Sequence, residues 1–285
     1  MPTISLAITT YERPDALEAV LRSALAQRDL PEEILVVDDG SGPATRELVV
    51  RIAATAPRPL RFLRQEHQGF RLTRLRNLAI AAATGELLLF IDGDMVLHRE
   101  FIADHRRIAR RGWFTQGVRI ALDGHATAAM VADPLRAPGV LARGLGGARR
   151  LYGLHSVFAQ RGLRRAGNGL IALKGCNQAF WRDDLLAVNG FEESIEGWGP
   201  EDKELCARLR HHGVRRQTLL GGGIAWHLAH PPASRAQRDA NVRLLRDTLA
   251  QGRVRALRGL DQHLGPGPDA GQRAPGPVAS RAPVL

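Results

Sequence analysis

Four short apolar runs punctuate the first hundred residues: ISLAIT (4–9), EILVV (33–37), LRFL (60–63) and ELLLFI (86–91). Runs of four to six mainly apolar residues, each ended by a polar turn, have the pattern of parallel strands buried on both faces. Helical stretches separate them over residues 14–27, 44–54 and 72–83. Pro14 suits a first helical turn, and Ala16, Val20 and Leu21 fall on one face of that helix. Leu75, Leu78, Ala79 and Ala82 are spaced for packing in the same way. Strands alternating with helices in this manner predict an α/β fold, with a mostly parallel central sheet flanked by helices.

Beyond residue 98 the rhythm changes. Residues 99–112 predict a helix and 112–121 a return to the sheet. Over 133–165 glycine and arginine are frequent and the period weakens, so helices or loops are expected there, with room for a mobile lid. Regularity resumes at 170 and lasts to about 260. Residues 261–285, rich in Pro, Gly and Ala from 265 onward, form the expected disordered tail, since such a composition cannot build a core. No internal repeat is visible.

Hydrophobic residues make up 44% of the 285, enough for a sizeable core. No apolar run reaches the roughly 18 residues that a bilayer span requires. The opening MPTISLAITTYERP has no basic leader before its apolar run, so a soluble cytosolic protein is expected. Cys176 and Cys206 lie too far apart in sequence for a metal motif and are expected to be reduced thiols. The net charge of +11 favours anionic partners: nucleic acid, an anionic membrane surface or phosphorylated small molecules. It is spread along the chain without zinc-finger spacing or an aromatic-rich RNA signature, which argues against nucleic acid.

In an open parallel sheet, ligands bind beyond the carboxyl ends of the strands. Three of the four runs end there in polar or acidic groups: Thr9-Thr10-Tyr11-Glu12, Asp38-Asp39 and Asp92-Gly93-Asp94. Any one of them suits a turn or a helix cap. All three at one edge suggest a site. A nucleoside diphosphate carries dense negative charge and leaves poorly as a free anion. A divalent Mn²⁺ or Mg²⁺ held by carboxylate neutralises that charge. Gly93 between the two acids lets the backbone approach the ligand closely. No Walker A motif is present and no Gly-x-Gly-x-x-Gly follows the first strand, which disfavours nucleotide hydrolases of that type and standard dinucleotide enzymes.

ISLAITTYERP, the Asp38-Asp39-Gly40-Ser41 turn and GFRLTRLRNLAIAAATGELLLFIDGDM together resemble the family 2 inverting glycosyltransferases of the GT-A fold. Farther on, KGCNQAFWRDDLLAVNGFEESIEGWGPEDKELCARLRHHGVRRQ and GIAWHLAH resemble the C-terminal part of β-1,4-galactosyltransferases and of bacterial chondroitin and related polysaccharide transferases. The likeness covers about residues 2–260. It implies one GT-A domain over 1–260, with a nucleotide-sugar half at 1–121 and an acceptor and catalytic half at 122–260.

The resemblance also implies roles. Thr9 and Asp39 would hold uridine, with Asp38 as a rival, and Tyr11 and Glu12 lie on the same strand end. Arg76 would reach the diphosphate, Asp92 would face the ribose and Asp94 would bind the metal. His227 would complete the metal shell, with His230 as the alternative. Asn177 is a candidate for donor contact. Inversion by single displacement needs a base, and the implied one is Asp202. Glu201 would hold the acceptor sugar and Trp198, beside Gly199, would stack on a sugar face. Acids after Pro200 also suit the first turn of a helix simply because they favour its dipole. Gly197 and Gly199 would let that loop rearrange around substrate.

The match is incomplete. Where galactosyltransferases often have a glycine and further acids, this chain has Pro200, Lys203 and Glu204. The metal-binding methionine region of the animal enzymes has no counterpart in residues 222–226. Phe180, Trp181 and Phe191 are expected in the core. The expected activity is transfer of a sugar from a UDP-sugar to a hydroxyl of a glycan or lipid-linked acceptor, in surface polysaccharide or lipopolysaccharide synthesis. The protein would act in the cytoplasm and would touch the inner face of an anionic membrane peripherally. Two alternatives stand beside it: a non-catalytic nucleotide- or glycan-binding module on the same fold, and a sugar nucleotidyltransferase. Donor sugar, acceptor and oligomeric state are left open by the sequence.

Overall fold

Strand β1 (Ile4–Thr10) is central, pairing in parallel with β2 (Glu33–Asp38) on one side and β4 (Leu87–Asp92) on the other. The computed structural model describes residues 1–139, 141–145, 147–162, 165–167, 170, 173–232 and 234–265. The expected disorder of the tail past 265 falls outside them. Residues 260–263 are ordered into the fold: Leu260 is buried and the Asp261 amide donates to Asn189 Oδ1.

Helix α1 (Pro14–Leu25) links β1 to β2, α2 (Pro43–Ala53) leads to β3 (Leu60–Arg64), and α3 (Leu72–Ala82) leads to β4. Pro occupies the first turn of both α1 and α2, where its missing N–H costs nothing. The expected helix over 99–112 is shorter, α4 (Phe101–Ile108), preceded by the short strand β5 (Met95–Leu97). The expected strand over 112–121 is two strands, β6 (Trp113–Gln116) and β7 (Val118–Ala121), which break at Gly117 and enter different sheets. Next come α5 (Gly124–Ala132), a 3₁₀ turn at Gly147–Gly153, α6 (Val157–Gly162) and β8 (Arg165–Gly167). The regular second half supplies β9 (Asn177–Trp181), α7 (Arg182–Ala187), α8 (Glu201–His211), β10 (Arg215–Thr218), β11 (Ile224–His227) and α9 (Arg238–Ala250).

The main sheet has the order β3-β2-β1-β4-β9-β6-β10-β8, and a second sheet has the order β5-β11-β7. The strand order turns around between β1 and β4, the switch point where open α/β sheets leave a crevice. Antiparallel β9 and β8 make the sheet mixed rather than wholly parallel. Alternation along the strands divides the core. Ile4, Leu6 and Ile8 pack with Leu17, Val20 and Leu21 of α1 on one face. Ala7, Leu35 and Phe90 pack with Leu75, Ile80, Phe180, Phe191 and Leu205 on the other. Each Leu, Ile, Val or Phe among them contributes about 1.5–3 kcal/mol by leaving water. Phe180, Trp181 and Phe191 are buried, as expected.

Two polar clasps tie the second half to this frame. Arg208 forms a buried ion pair with Glu204 at 2.7 Å and donates to Val188 O, while Thr248 Oγ1 donates to Glu204, so α8 is locked to α9. Glu193 accepts from Asn77 Nδ2 at 2.8 Å and pairs with His263 at 2.5 Å, and Leu260 N donates to Asn189 O. The segment at 260–263 is thereby sewn onto α3. Among the described residues, no helix is long and apolar enough to cross a membrane.

Candidate functional site

A cleft of about 720 Å³ opens at the carboxyl end of β1 and β4. Its floor follows from strand register. Thr9 stands opposite Asp92 and Thr10 opposite Asp38, so the polar ends of three strands arrive together. Gly93 N donates to Thr9 O at 2.7 Å, and a Cβ at Gly93 would lie 2.9 Å from that oxygen. Only glycine lets this turn close so tightly.

Asp39 lines the cleft; Asp38 does not. Asp38 is fully buried, accepts from the amides of Gly40 and Ser41 and from Ser41 Oγ, and faces Arg64 at 3.4 Å. It builds the turn that presents Asp39 to the cleft. Glu12 is also turned elsewhere. Its carboxylate accepts from Gly42 N at 2.9 Å, at the start of α2, and its left-handed backbone (φ 49°) is fixed by a bond from its amide to Ser41 Oγ. Asn177 likewise does not line the cleft. It is 1% exposed and its amide donates to Val118 O and Gly223 O, pinning β7 to the approach to β11.

Asp39 has partners that sequence reasoning missed. Gln65 Nε2 donates to it at 2.5 Å, and His67 Nδ1 lies 3.3 Å from its carboxylate. The His67 ring stacks on Tyr11 with centroids 4.3 Å apart. Burial raises the Asp39 pKa against the pull of those partners. Tyr11 lines the cleft and is 43% exposed, so a flat, apolar surface stands beside a carboxylate acceptor.

The metal candidates converge. Antiparallel pairing sets His227 opposite Met95, the residue after Asp94, and Leu228 N donates to Asp94 O. His227 Nε2 lies 3.6 Å and His230 Nε2 3.4 Å from Asp94 Oδ2. One ligand atom from each of the three lies within 4.8 Å of the others. The two histidines are therefore joint candidates rather than alternatives. His230 Nδ1 sits 2.6 Å from Pro231 O, a carbonyl that accepts a hydrogen bond from that nitrogen, while Nε2 is the nitrogen that faces Asp94. Burial, reinforced by the charge of Asp92, pushes the Asp94 carboxyl up to about 6, and burial pushes His227 down to about 3. Asp94 Oδ1 is buried without a hydrogen-bond partner among the described residues. Two imidazoles beside an under-satisfied carboxylate fit a divalent cation. Arg13, 3.6 Å from Asp94, and Arg119 also border this end of the cleft and were not foreseen.

Arg76 is 1% exposed and forms a bridge. Nη2 lies 3.4 Å from Asp92 and Nη1 3.2 Å from Glu201. Nη2 also donates to Gly175 O at 3.2 Å. Its guanidinium thus borders the cleft while engaged by two carboxylates rather than standing free. Glu201 and Asp202 open α8. Burial pushes Glu201 up to about 7 against the attraction of Arg76, and burial raises Asp202 too. Trp198 and Gly199 line the same wall. The loop carrying them is held by Asn241, which donates to Glu196 O and Trp198 O, by Gly197 N bonded to Phe70 O, and by Thr73 Oγ1 bonded to Ile195 O. A Cβ on Gly199 would meet the Asn241 side chain at 2.6 Å. These ties oppose the loop freedom that its glycines suggested.

Residues 5–130 match the model of glycosyl transferase family 2, and residues 154–231 match that described as the N-terminal domain of galactosyltransferase. Residues 5–130 thus resemble glycosyl transferase family 2, and the chain has the GT-A fold. It is 29% identical over 247 residues to validoxylamine A glucosyltransferase of Streptomyces hygroscopicus subsp. limoneus, covering 75% of this chain and 49% of that one. It is 25% identical over 254 residues to hyaluronan synthase of Pasteurella multocida, covering 83% and 25%. The glycosyltransferase domain thus spans half or less of the length of these relatives. Among solved structures, S. aureus TarS 1–349 in complex with UDP aligns with a TM-score of 0.61 and 16% identity, covering 91% of this chain and 68% of that one. A mannosyltransferase from Pyrobaculum calidifontis in complex with GDP-Man and Mn2+ aligns with a TM-score of 0.55 and 20% identity, covering 80% and 57%. At these identities the likeness establishes the fold.

Proposed function

We propose that this chain is a metal-dependent inverting glycosyltransferase that moves a sugar from a UDP-sugar to a hydroxyl of a glycan or lipid-linked acceptor, in the synthesis of a surface polysaccharide or lipopolysaccharide. The observation that carries the reading is the meeting in one cleft of the Asp94–His227–His230 cluster with the Glu201–Asp202 pair and Trp198. Asp39 accepts a hydrogen bond from the nucleobase while Tyr11 offers it a flat face, and Thr9 and Asp92 take the ribose. A Mn²⁺ or Mg²⁺ ion held by Asp94, His227 and His230 would neutralise the charge of the departing diphosphate. Asp202 takes the proton of the acceptor hydroxyl as its oxygen attacks the anomeric carbon, and Glu201 and Trp198 orient the acceptor ring. Burial suits Asp202 to that work, because a raised pKa makes its carboxylate a stronger base. A cytosolic protein of net charge +11 would also rest readily on an anionic membrane face, where lipid-linked acceptors are found.

The deciding experiment is UDP release from a panel of UDP-sugars with Mn²⁺, for the wild type and for Asp94→Ala and Asp202→Asn. Turnover of one donor by the wild type, lost in both variants while Asp202→Asn still binds donor, is the expected result. Absence of UDP binding by the wild type at millimolar Mn²⁺ would sink the reading.

A further inference from the structure

Charge is distributed unevenly along the cleft. At the metal end the cations have carboxylates nearby, Arg13 beside Asp94 and Arg76 between Asp92 and Glu201. At the Trp198 end three cations make no such close pair. Lys174, Lys203 and Arg235 line that part, and among the described residues none of the three forms an ion pair with a carboxylate. Lys203 and Lys174 lie close enough to Asp202 to draw its pKa downward. The Arg235 guanidinium sits 5.0 Å from the centre of the Trp198 ring.

These cations stand on fixed backbone. Lys174 N donates to Gln116 Oε1 and Lys174 O accepts from Gln116 Nε2, both at 3.1 Å. Arg235 O accepts from Arg238 N at 3.0 Å, in the turn that opens α9. Two of these charges, Lys174 and Lys203, act on Asp202, and the third, Arg235, stands over Trp198 in the same cleft. Low-dielectric walls concentrate such a field on whatever enters. A neutral sugar offers it only hydroxyl dipoles.

We propose that the acceptor is anionic: it carries a carboxylate or phosphate near the hydroxyl it presents, and Lys174, Lys203 and Arg235 seat that group while Asp202 takes the proton. This rests on the transferase reading above. The donor diphosphate is the competing claimant for these cations, and the two assignments differ in which ligand a substitution weakens.

The test uses protein preloaded with UDP and Mn²⁺, titrated with three probes: methyl β-D-glucuronide, methyl β-D-glucoside 6-phosphate and neutral methyl β-D-glucoside. Binding is read by saturation-transfer NMR at low salt. At least one anionic probe is expected to bind about tenfold more tightly than the neutral one, the difference that roughly 1.4 kcal/mol supplies. Which anion leads separates a uronate from a phosphorylated acceptor. Lys174→Gln and Arg235→Gln, both exposed positions, should bring the anionic probe within about twofold of the neutral one, the preference having come from charge. Equal binding of all three probes, or binding of none, overturns the proposal. So does loss of UDP affinity in either variant, which would place these cations on the donor. Failure of the wild type to bind UDP at all is a different result and removes the transferase reading itself.

Discussion

Arg76 Nη1 lies 3.2 Å from Glu201 Oε1, an ion pair that ties α3 of the first half of the chain to α8 of the second. The same guanidinium reaches Asp92 at 3.4 Å. One buried side chain therefore sets the spacing between the acid at the end of β4 and the acids that open α8.

Arg76→Met should be destabilising. It leaves Glu201, already pushed up to about 7 by burial, without its cation. Breaking a buried pair costs about 3–5 kcal/mol, and the low end applies because Asp92 keeps 35% of its side chain in contact with solvent. Urea unfolding should show a lower midpoint with an unchanged slope. Arg76→Lys should recover only part of the loss, because one ammonium cannot span both carboxylates as the planar fork does.

Transfer should fall away on the acid side at a higher pH than an ordinary aspartate would dictate. The raised Asp202 pKa means that its proton is lost, and the base form appears, only above the usual value of about 3.9. The acidic limb of kcat/KM reports that group. Asp202→Glu should move the limb, and Asp202→Asn should abolish transfer with donor binding intact. A flat profile from pH 4 to 7 would contradict the assignment.

Asp39→Asn should raise KM for the nucleotide sugar about tenfold or more with little change in kcat, since uniform binding energy is lost far from the reacting bond. His67→Ala should act in the same direction more weakly, because Gln65 still holds the carboxylate at 2.5 Å. Initial-rate kinetics over donor concentration distinguish the two.

Neither thiol should react in the folded protein. Cys176 and Cys206 are buried, and burial pushes Cys176 up to about 12 and Cys206 well above its usual value. A chromogenic disulfide reagent should report no free thiol until denaturant is added, and then two.

Placement at the cleft is legible in the sequence where spacing determines position. Asp92-Gly93-Asp94 ends a buried strand, so Asp94 had to emerge at the crevice, and parallel pairing brought Thr9 and Asp39 beside it. Placement is not legible where a strand-end polar group has two uses. Glu12, Asp38 and Asn177 were as plausible as their neighbours, and only the direction of each side chain separates a turn builder from a cleft liner. His67, Arg13 and Arg119 were missed because each meets its partner across strands or turns with no local motif. His230 was ranked behind His227 in sequence, and the turn at Pro231 brings both to Asp94.

The clasp of Glu193 with Asn77 and His263 bears on the order of assembly. Asn77 follows Arg76 on α3, and the residues that fix its loop partner lie nearly two hundred positions later, up to His263. Contacts of such sequence separation form late, after the cost of closing a long loop has been met. During synthesis the β1–β4 frame can collapse as soon as it leaves the ribosome. The brace on the helix that carries Arg76 is completed only when residue 263 pairs with Glu193, so the nascent frame exists before its last support arrives.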